Sequence, residues 1–391
     1  MLVPPISGIG RYTQNLLKWL MNFQEDDSKA IETIKVFTPL NIYQESSLGE
    51  LLIMLDGDPS QNEQVRSINR LKRIKSFAKQ IPGGDSLKRA VQQRLLRQKI
   101  KACKGSIYWE PNYILEEFDG VSISTIYDLS HIRYPKFHPK ERRRWLDDNL
   151  KKTLDNGSGV VTISEFSKNE IIEYYSVNDE DITIIPPAVS DEFRQVYTDD
   201  KIESVRCKYQ LPKSYILSVG TIEPRKNLVG LLAAFALLPN GLKESCPLVV
   251  VGCEGWLSED VEEMLRPMMK KKQVIRLGYV SQMDLPVIFS GASLFVYISH
   301  YEGYGMPVAE AMCSGVPVLT SNVSSMPEVA ANCATLVNPE DIKLIAQEIE
   351  ELIENSAKRR DQIHRAKKQS DGYIWEESAQ KLVELFQRHN P

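Results

Sequence analysis

Residues 293–321 read SLFVYISHYEGYGMPVAEAMCSGVPVLTS. The opening run SLFVYIS (293–299) is apolar, β-branched and aromatic, the composition of a strand buried on both faces of a parallel sheet. Gly303 and Gly305 break the run, Pro307 suits a first helical turn, and Gly315 suits the residue just past a helix end. The spacing predicts a helix over about 306–314 and a second strand in VPVLTS (316–321). Glu302 then stands in the loop at a strand's carboxyl end, and Glu310 about one turn into the helix. Neighbours of Glu310 at three and four positions are Met306, Pro307, Cys313 and Ser314, so its face is uncharged. A carboxylate there is costly unless something hydrogen-bonds to it. On this stretch alone, a glutamate reaching solvent from the helix edge fits as well as a functional one.

Outward from this unit the alternation continues. YILSVGT (215–221), PLVVVG (247–252), VIRLGYV (274–280) and ATLVNP (334–339) read as strands. LVGLLAAFALL (228–238), SEDVEEMLRPMMKK (258–271), QMDLPVIFSG (282–291) and a charged run to about 369 read as helices. That is βαβα throughout, hence a doubly wound parallel sheet with helices on both faces. The first half is looser but similar. RYTQNLLKWLMNF (11–23) is a helix; TIKVFTP (33–39), GSIYWEP (105–111), VSISTIYDLS (121–130), SGVVTIS (158–164) and DITIIPPAV (181–189) are strands. Ser167 to Glu170 reads as a capping box, and the polar, acidic residues 190–206 as a linker. The expected organisation is α/β, with two Rossmann-like doubly wound domains facing a cleft, residues 1–195 and 207–370. Residues 371–391 form a last helix returning to the first domain. Ligands bind where strand carboxyl ends point into such a cleft.

Composition narrows the class. The 391 residues are 42% hydrophobic and 26% charged, as in an ordinary globular protein with room for two cores. Cysteines 103, 207, 246, 253, 313 and 333 contain no C-x-x-C pair, which fits a reduced cytoplasmic chain better than a disulfide framework. The five histidines lack metal-ligand spacing, no apolar stretch is long enough to span a membrane, and no signal-peptide pattern opens the chain. The net charge of −4 conceals an asymmetry. Residues 66–104 hold thirteen Lys or Arg against one acid, a local +12, so the remainder carries −16. Within that insertion Ile68, Leu71, Ile74, Phe77 and Ile81, then Leu87, Val91, Leu95 and Ile100, recur at helical spacing around Pro82-Gly83-Gly84. They read as two basic amphipathic helices. Packing on the sheet with lysines in water accounts for the stripes; the one-sided charge points to an anionic membrane surface, bound through Arg70, Lys72, Arg73 and Lys75. Nucleic acid is disfavoured, because stacking aromatics are not interleaved with the cations.

A second constellation sits at a matching place. The strand YILSVGT runs into IEPRKN (222–227), with Asn227 a good helix N-cap. Arg225 and Lys226 at a strand's carboxyl end, beside free helix amides, suit a phosphate or pyrophosphate. A solvated basic turn is the plainer reading of an isolated pair; its place in the same sheet as Glu302 favours function.

VGTIEPRKN (219–227) followed by SHYEGYGMPVAEAMCSGVPV (299–318) resembles the C-terminal domain of family 4 retaining glycosyltransferases of the GT-B fold. The likeness extends to SGIGRYTQNLL (7–17), YDLSHIRYPKFHPKER (127–142), TISEFSKNEI (162–171) and IIPPAV (184–189), with 40–104 the main stretch lacking it. The nearest branch is similar to bacterial mannosyltransferases that build lipopolysaccharide O-antigen chains. The resemblance implies that Glu310 accepts the ribose hydroxyls of a sugar nucleotide, while Glu302 faces the transferred sugar with Gly303, Tyr304 and Gly305 around it. It implies that Arg225 and Lys226, with Gly220 and Thr221 beside them, clamp the pyrophosphate at the cleft surface. The loop Tyr279–Val280–Ser281 would read the base through backbone groups, and Gly8 and Gly10 would reach across the cleft. Retention by same-face attack requires no dedicated nucleophile, and no metal or other cofactor is implied; the sugar nucleotide is the substrate. Asp56-Gly57-Asp58 spells a D-x-D, read here as a turn.

Two departures stand out. Many family members carry histidine before the aspartate of the strand-end motif, where it contacts the donor sugar; this chain has Tyr127-Asp128. The resemblance implies that Tyr127 and Asp128 stand at the catalytic site with the Tyr127 hydroxyl taking the histidine's contact, ordinary packing at a strand end being the alternative. The first strand of the N-terminal sheet should precede SGIGRY, where only MLVPPI stands. The expectation is a retaining, metal-independent enzyme moving mannose from GDP-mannose to a lipid-linked glycan, peripheral on the inner face of the cell membrane. A UDP-sugar donor, a GT-B epimerase and a catalytically weak sugar-nucleotide-binding subunit are the alternatives.

Overall fold

The computed structural model describes residues 8–25, 31–38, 41–56, 94–253, 255 and 259–389. Arg70, Lys72, Arg73 and Lys75 lie outside the described residues, as do Gly57 and Asp58 of the D-x-D. The strands in chain order are β1 (Lys35–Phe37), β2 (Ile42–Gln44), β3 (Tyr108–Glu110), β4 (Ser122–Thr125), β5 (Gly159–Thr162) and β6 (Ile182–Ile184). The second half adds β7 (Ile216–Val219), β8 (Leu248–Val251), β9 (Val274–Gly278), β10 (Leu294–Tyr297), β11 (Val318–Ser321) and β12 (Thr335–Val337).

The C-terminal sheet is parallel with order β12-β11-β10-β7-β8-β9. The order reverses between β7 and β10, which pair Ile216 with Leu294 and Leu217 with Phe295. That is the doubly wound arrangement, and its crevice opens beyond the carboxyl ends of these two strands. β8, β10 and β11 are buried along their whole length, as their apolar runs predict for strands covered on both faces. The N-terminal sheet is parallel in the order β3-β4-β5-β6.

Four local expectations change. Residues 33–39 were expected as a strand of the parallel sheet; β1 instead pairs antiparallel with β2 in a separate two-stranded ribbon. Its partner lies only a few residues away, so a hairpin closes locally, with Thr38 N–H donating to Asn41 O at 2.9 Å, whereas parallel pairing needs a long crossover. The supposed linker is packed structure: Thr198 caps helix Asp199–Tyr209, Val205 is buried, and Phe193 meets Phe289 edge-on at 5.5 Å. Its acids, Asp199 and Asp200, occupy a first helical turn, where negative charge is favourable. Ser164, not Ser167, caps helix Glu165–Tyr175, accepting from Ser167 N at 3.0 Å; Glu170 is engaged elsewhere. The glycines of SGIGRY do not form a loop: Gly8 opens helix Gly8–Glu25 and Gly10 is buried within it.

Helix Trp375–His389 lies against N-terminal elements. Ser378 donates to Pro186 O at 2.7 Å, Trp375 meets Tyr12 at 5.9 Å, and Arg388 donates to Thr183 Oγ1 at 3.2 Å. Of the basic insertion, residues 94–101 are helical, and two cations already have acidic partners: Arg97 with Glu116 at 2.5 Å and Lys101 with Glu117 at 2.7 Å. The one-signed face is therefore mixed at this end. Among the described residues, no helix is long and apolar enough to cross a membrane.

Candidate active site

The crevice is built where β7 and β10 end side by side. After β7 the chain makes a short turn at Pro224–Lys226, and Asn227 caps helix Leu228–Leu237 by accepting from Gly230 N at 3.2 Å. After β10 comes Glu302. Arg225 Nη1 donates to Glu302 Oε2 at 2.7 Å and to the Tyr301 carbonyl at 2.9 Å, and its Nη2 donates to Glu223 at 2.7 Å. Lys226 Nζ donates to Glu302 Oε1 at 2.7 Å and to the Tyr297 hydroxyl at 2.5 Å; that hydroxyl donates to Glu302 Oε1 at 2.9 Å. Two cations and two carboxylates thus share one buried cluster.

Electrostatics follow from this geometry. Burial opposes ionisation of Glu302, but Arg225 and Lys226 outweigh it and hold the carboxyl down at about 2. Burial also works against the Arg225 charge, yet Glu302 and Glu223 raise its pKa further. Lys226 is pulled below its ordinary value by burial, with Glu302 opposing. The contacts at 2.7 Å from both cations to one carboxylate describe a charged cluster. The expectation that Arg225 and Lys226 lie free at the cleft surface is corrected here: their side chains are only 16% and 17% exposed. Glu302 and Glu223 are what allow them to be buried.

Glu310 is the opposite case. It lies in helix Met306–Cys313, is 8% exposed, and among the described residues makes no hydrogen bond through its carboxylate. Burial pushes the carboxyl up to about 7, with the Arg11 charge alone pulling it down. Arg11 stands in the first turn of helix Gly8–Glu25, so this pairing of charges spans the cleft. Gly220 and Thr221 follow β7 and line a small recess with Lys226 and Tyr297. Tyr279 is half exposed after β9 while Val280 beside it is buried, and Ser281 is tied to Asp284 at 2.8 Å.

The glycines around Glu302 serve packing. A Cβ on Gly303 would come within 2.3 Å of the Tyr127 carbonyl, so glycine here lets the N-terminal domain approach. Gly305 has φ of +107° and a Cβ there would strike Met326 at 2.1 Å. Tyr304 is buried, its carbonyl accepting from Ser325 Oγ at 2.8 Å. The expectation for Tyr127 also changes. Its hydroxyl donates to Pro111 O at 2.8 Å and its ring packs against Tyr12 and Tyr113, so it is spent inside the N-terminal domain. Asp128 Oδ1 accepts from Ser130 N at 3.0 Å and Ser130 Oγ at 2.6 Å, and its charge acts on Arg225.

Tyr297, Glu223, Arg11, Tyr301 and Glu328 were not singled out from the sequence. For the first, alternation in β10 is the signal: Tyr297 shares a sheet face with Phe295, whose ring it stacks on at 5.9 Å, at the strand's carboxyl end.

Two facing α/β domains with a charged crevice at the strand-order switch are an architecture that binds its ligand between the domains. Residues 202–369 match the family described as "Glycosyl transferases group 1". The chain is 30% identical to O-antigen chain mannosyltransferase B of Escherichia coli over 98% of its length and 96% of that protein's. It is 33% identical over 240 residues to the serotype-specific mannosyltransferase WbdA of the same species, covering 60% of this chain and 29% of that one. The crystal structure of WaaG, a glycosyltransferase involved in lipopolysaccharide biosynthesis, superimposes with a TM-score of 0.64 at 18% identity, over 76% of this chain and 82% of that one. The chain belongs to the group 1 glycosyltransferase family.

Proposed function

We propose that this protein is a retaining mannosyltransferase that uses GDP-mannose and extends a lipid-linked glycan of the O-antigen type. The observation that carries the donor half is Glu310: a buried carboxylate with no hydrogen bond among the described residues, on the helix that follows the loop carrying Glu302. A ribose diol donating to it would supply the missing partners, and Lys226 retains a hydrogen beyond those given to Glu302 and Tyr297 for a phosphate oxygen. In transfer, the bond from the sugar's anomeric carbon to the phosphate oxygen breaks and one to the acceptor hydroxyl forms on the same face. The acceptor proton goes to the departing phosphate, and Arg225 and Lys226 stabilise the charge that develops there. This chemistry calls on no metal ligand set and no protein nucleophile.

The mannosyl assignment draws on the named relatives. The membrane-facing assignment draws on residues 66–104 and would place the enzyme at the inner face of the cell membrane, next to a lipid-linked acceptor. A panel of nucleotide sugars scored by thermal stabilisation, then by product formation with a lipid-linked acceptor, tests the reading. GDP and GDP-mannose should stabilise most; stabilisation by UDP-sugars instead would replace the donor, and stabilisation by none would remove the reading.

A further inference from the structure

The loop carrying Glu302 is gripped from both domains in alternation. From the N-terminal domain, Tyr134 Oη donates to His300 O at 3.3 Å, Leu129 N donates to Tyr301 Oη at 2.9 Å, and Ser164 Oγ donates to Gly303 O at 2.6 Å. From the C-terminal domain, Ser324 Oγ accepts from Glu302 N at 3.1 Å, and Ser325 Oγ contacts the Glu302 and Tyr304 carbonyls at 2.9 and 2.8 Å. Tyr301 is the pivot. Its hydroxyl donates to Glu170, which Arg133 holds at 2.7 Å, while its carbonyl accepts from Arg225 at 2.9 Å. One residue therefore links the N-terminal helix Glu165–Tyr175 to the cation of the donor cluster. The same helix is held a second time. Glu328, from helix Met326–Ala330 of the opposite domain, accepts from Glu165 N at 3.0 Å and Phe166 N at 3.3 Å, two first-turn donors with no partner inside their helix.

We propose that the N-terminal domain sets the conformation of the Glu302 loop, so that Tyr301, with Glu170 behind it, is a positioning residue for transfer and Glu328 is the clasp that holds the two domains in the competent arrangement. The inference rests on the reading of the crevice as a sugar-nucleotide site. The chemistry is plain: Glu302 and Arg225 meet the donor, and a loop anchored at 300, 301 and 303 by the acceptor-side domain fixes them only when that domain is closed on it. Loss of one anchor leaves the binding groups present but looser, which costs rate more than affinity.

Tyr301→Phe keeps the ring contacts with Tyr134 and Phe166, at 5.8 and 5.6 Å, and removes only the hydroxyl. In the full-length protein its kcat with GDP-mannose and lipid-linked acceptor should fall at least about tenfold, because the hydroxyl's two buried hydrogen bonds, from Leu129 N and to Glu170, are both lost, with the Kd for GDP changed less than twofold. Glu328→Gln should show the same split. Amide exchange in residues 298–305, measured without any ligand, should quicken in both variants. Unchanged kcat, a GDP Kd rising in step with the loss of kcat, or unchanged loop exchange would each overturn the proposal. A wild type that binds no nucleotide would refute the donor-site reading instead, and the exchange measurement would still decide whether the domain sets the loop.

Discussion

Glu302 and Glu310 stand eight positions apart and are similarly buried, at 6% and 8% exposure, yet their surroundings are opposites. Glu302 is saturated by Arg225, Lys226 and Tyr297; Glu310 has one distant cation and no hydrogen bond among the described residues. Burial opposes the charged form at both. Protein cations reverse the outcome at the first, taking it to about 2, and leave it standing at the second, at about 7. A carboxylate completed by its own chain contributes to the fold with or without a ligand, whereas the second is buried at a cost that nothing among the described residues offsets beyond the Arg11 charge.

The largest effect should come from Glu302. Glu302→Ala leaves two buried cations short of a counter-charge and should lower unfolding stability by about 3–5 kcal/mol, read by chemical denaturation. Its folded pKa is depressed, so its contribution is present above about pH 4.5 and lost as pH falls toward about 2. A change below about 1 kcal/mol would break the contrast from this side.

Glu310 should behave in reverse. Its folded pKa is raised, so the folded state binds the proton more tightly and unliganded stability declines as pH rises from about 4.5 to about 7. Removing the charge should relieve this: Glu310→Gln should exceed the wild type by about 3 kcal/mol at pH 8 and by under about 1 kcal/mol at pH 5. Equal differences at both pH values would show that the carboxylate has a partner after all.

Arg225→Ala or Lys226→Ala should lower turnover on the order of a hundredfold, the loss of one preorganised electrostatic donor. Because both side chains are buried in the Glu302 cluster, each should also lower the melting temperature, contrary to what a free cleft-surface cation would do. Turnover reduced with stability intact would restore the simpler picture.

Legibility in the sequence tracked the range of the determinant. Apolar runs such as SLFVYIS and PLVVVG, and signals such as Asn227 and Pro307, act within a few residues, so the C-terminal sheet and its helices were readable. Glu302, Arg225 and Lys226 were correctly drawn to one sheet, but their direct pairing depends on β7 lying beside β10, which the chain order does not state. Tyr301 meeting Glu170, and Glu328 meeting the start of helix Glu165–Tyr175, depend on the two domains facing each other and leave no local trace. Tyr127 is a related case, and of the two readings the sequence left open the structure favours packing: a strand-end position fixes where a residue starts, while Pro111, Tyr12 and Tyr113 decide where its hydroxyl goes. The smallest predicted effect follows. Tyr127→Phe should cost about 1 kcal/mol of stability, one buried hydrogen bond, and leave turnover unchanged; a fall in activity without loss of stability would return the residue to the donor site.

The contrast between the two glutamates is tested most directly by titrating GDP calorimetrically against Glu310→Ala and Glu302→Gln at pH 8. Glu310→Ala should bind at least about tenfold more weakly, the loss of hydrogen bonds to a charged acceptor. Glu302→Gln should bind as tightly as the wild type or more so, because Arg225 and Lys226 are then freed of their internal counter-charge. Equal weakening in both variants would contradict the assignment of one carboxylate to the nucleotide and the other to the protein's own cations.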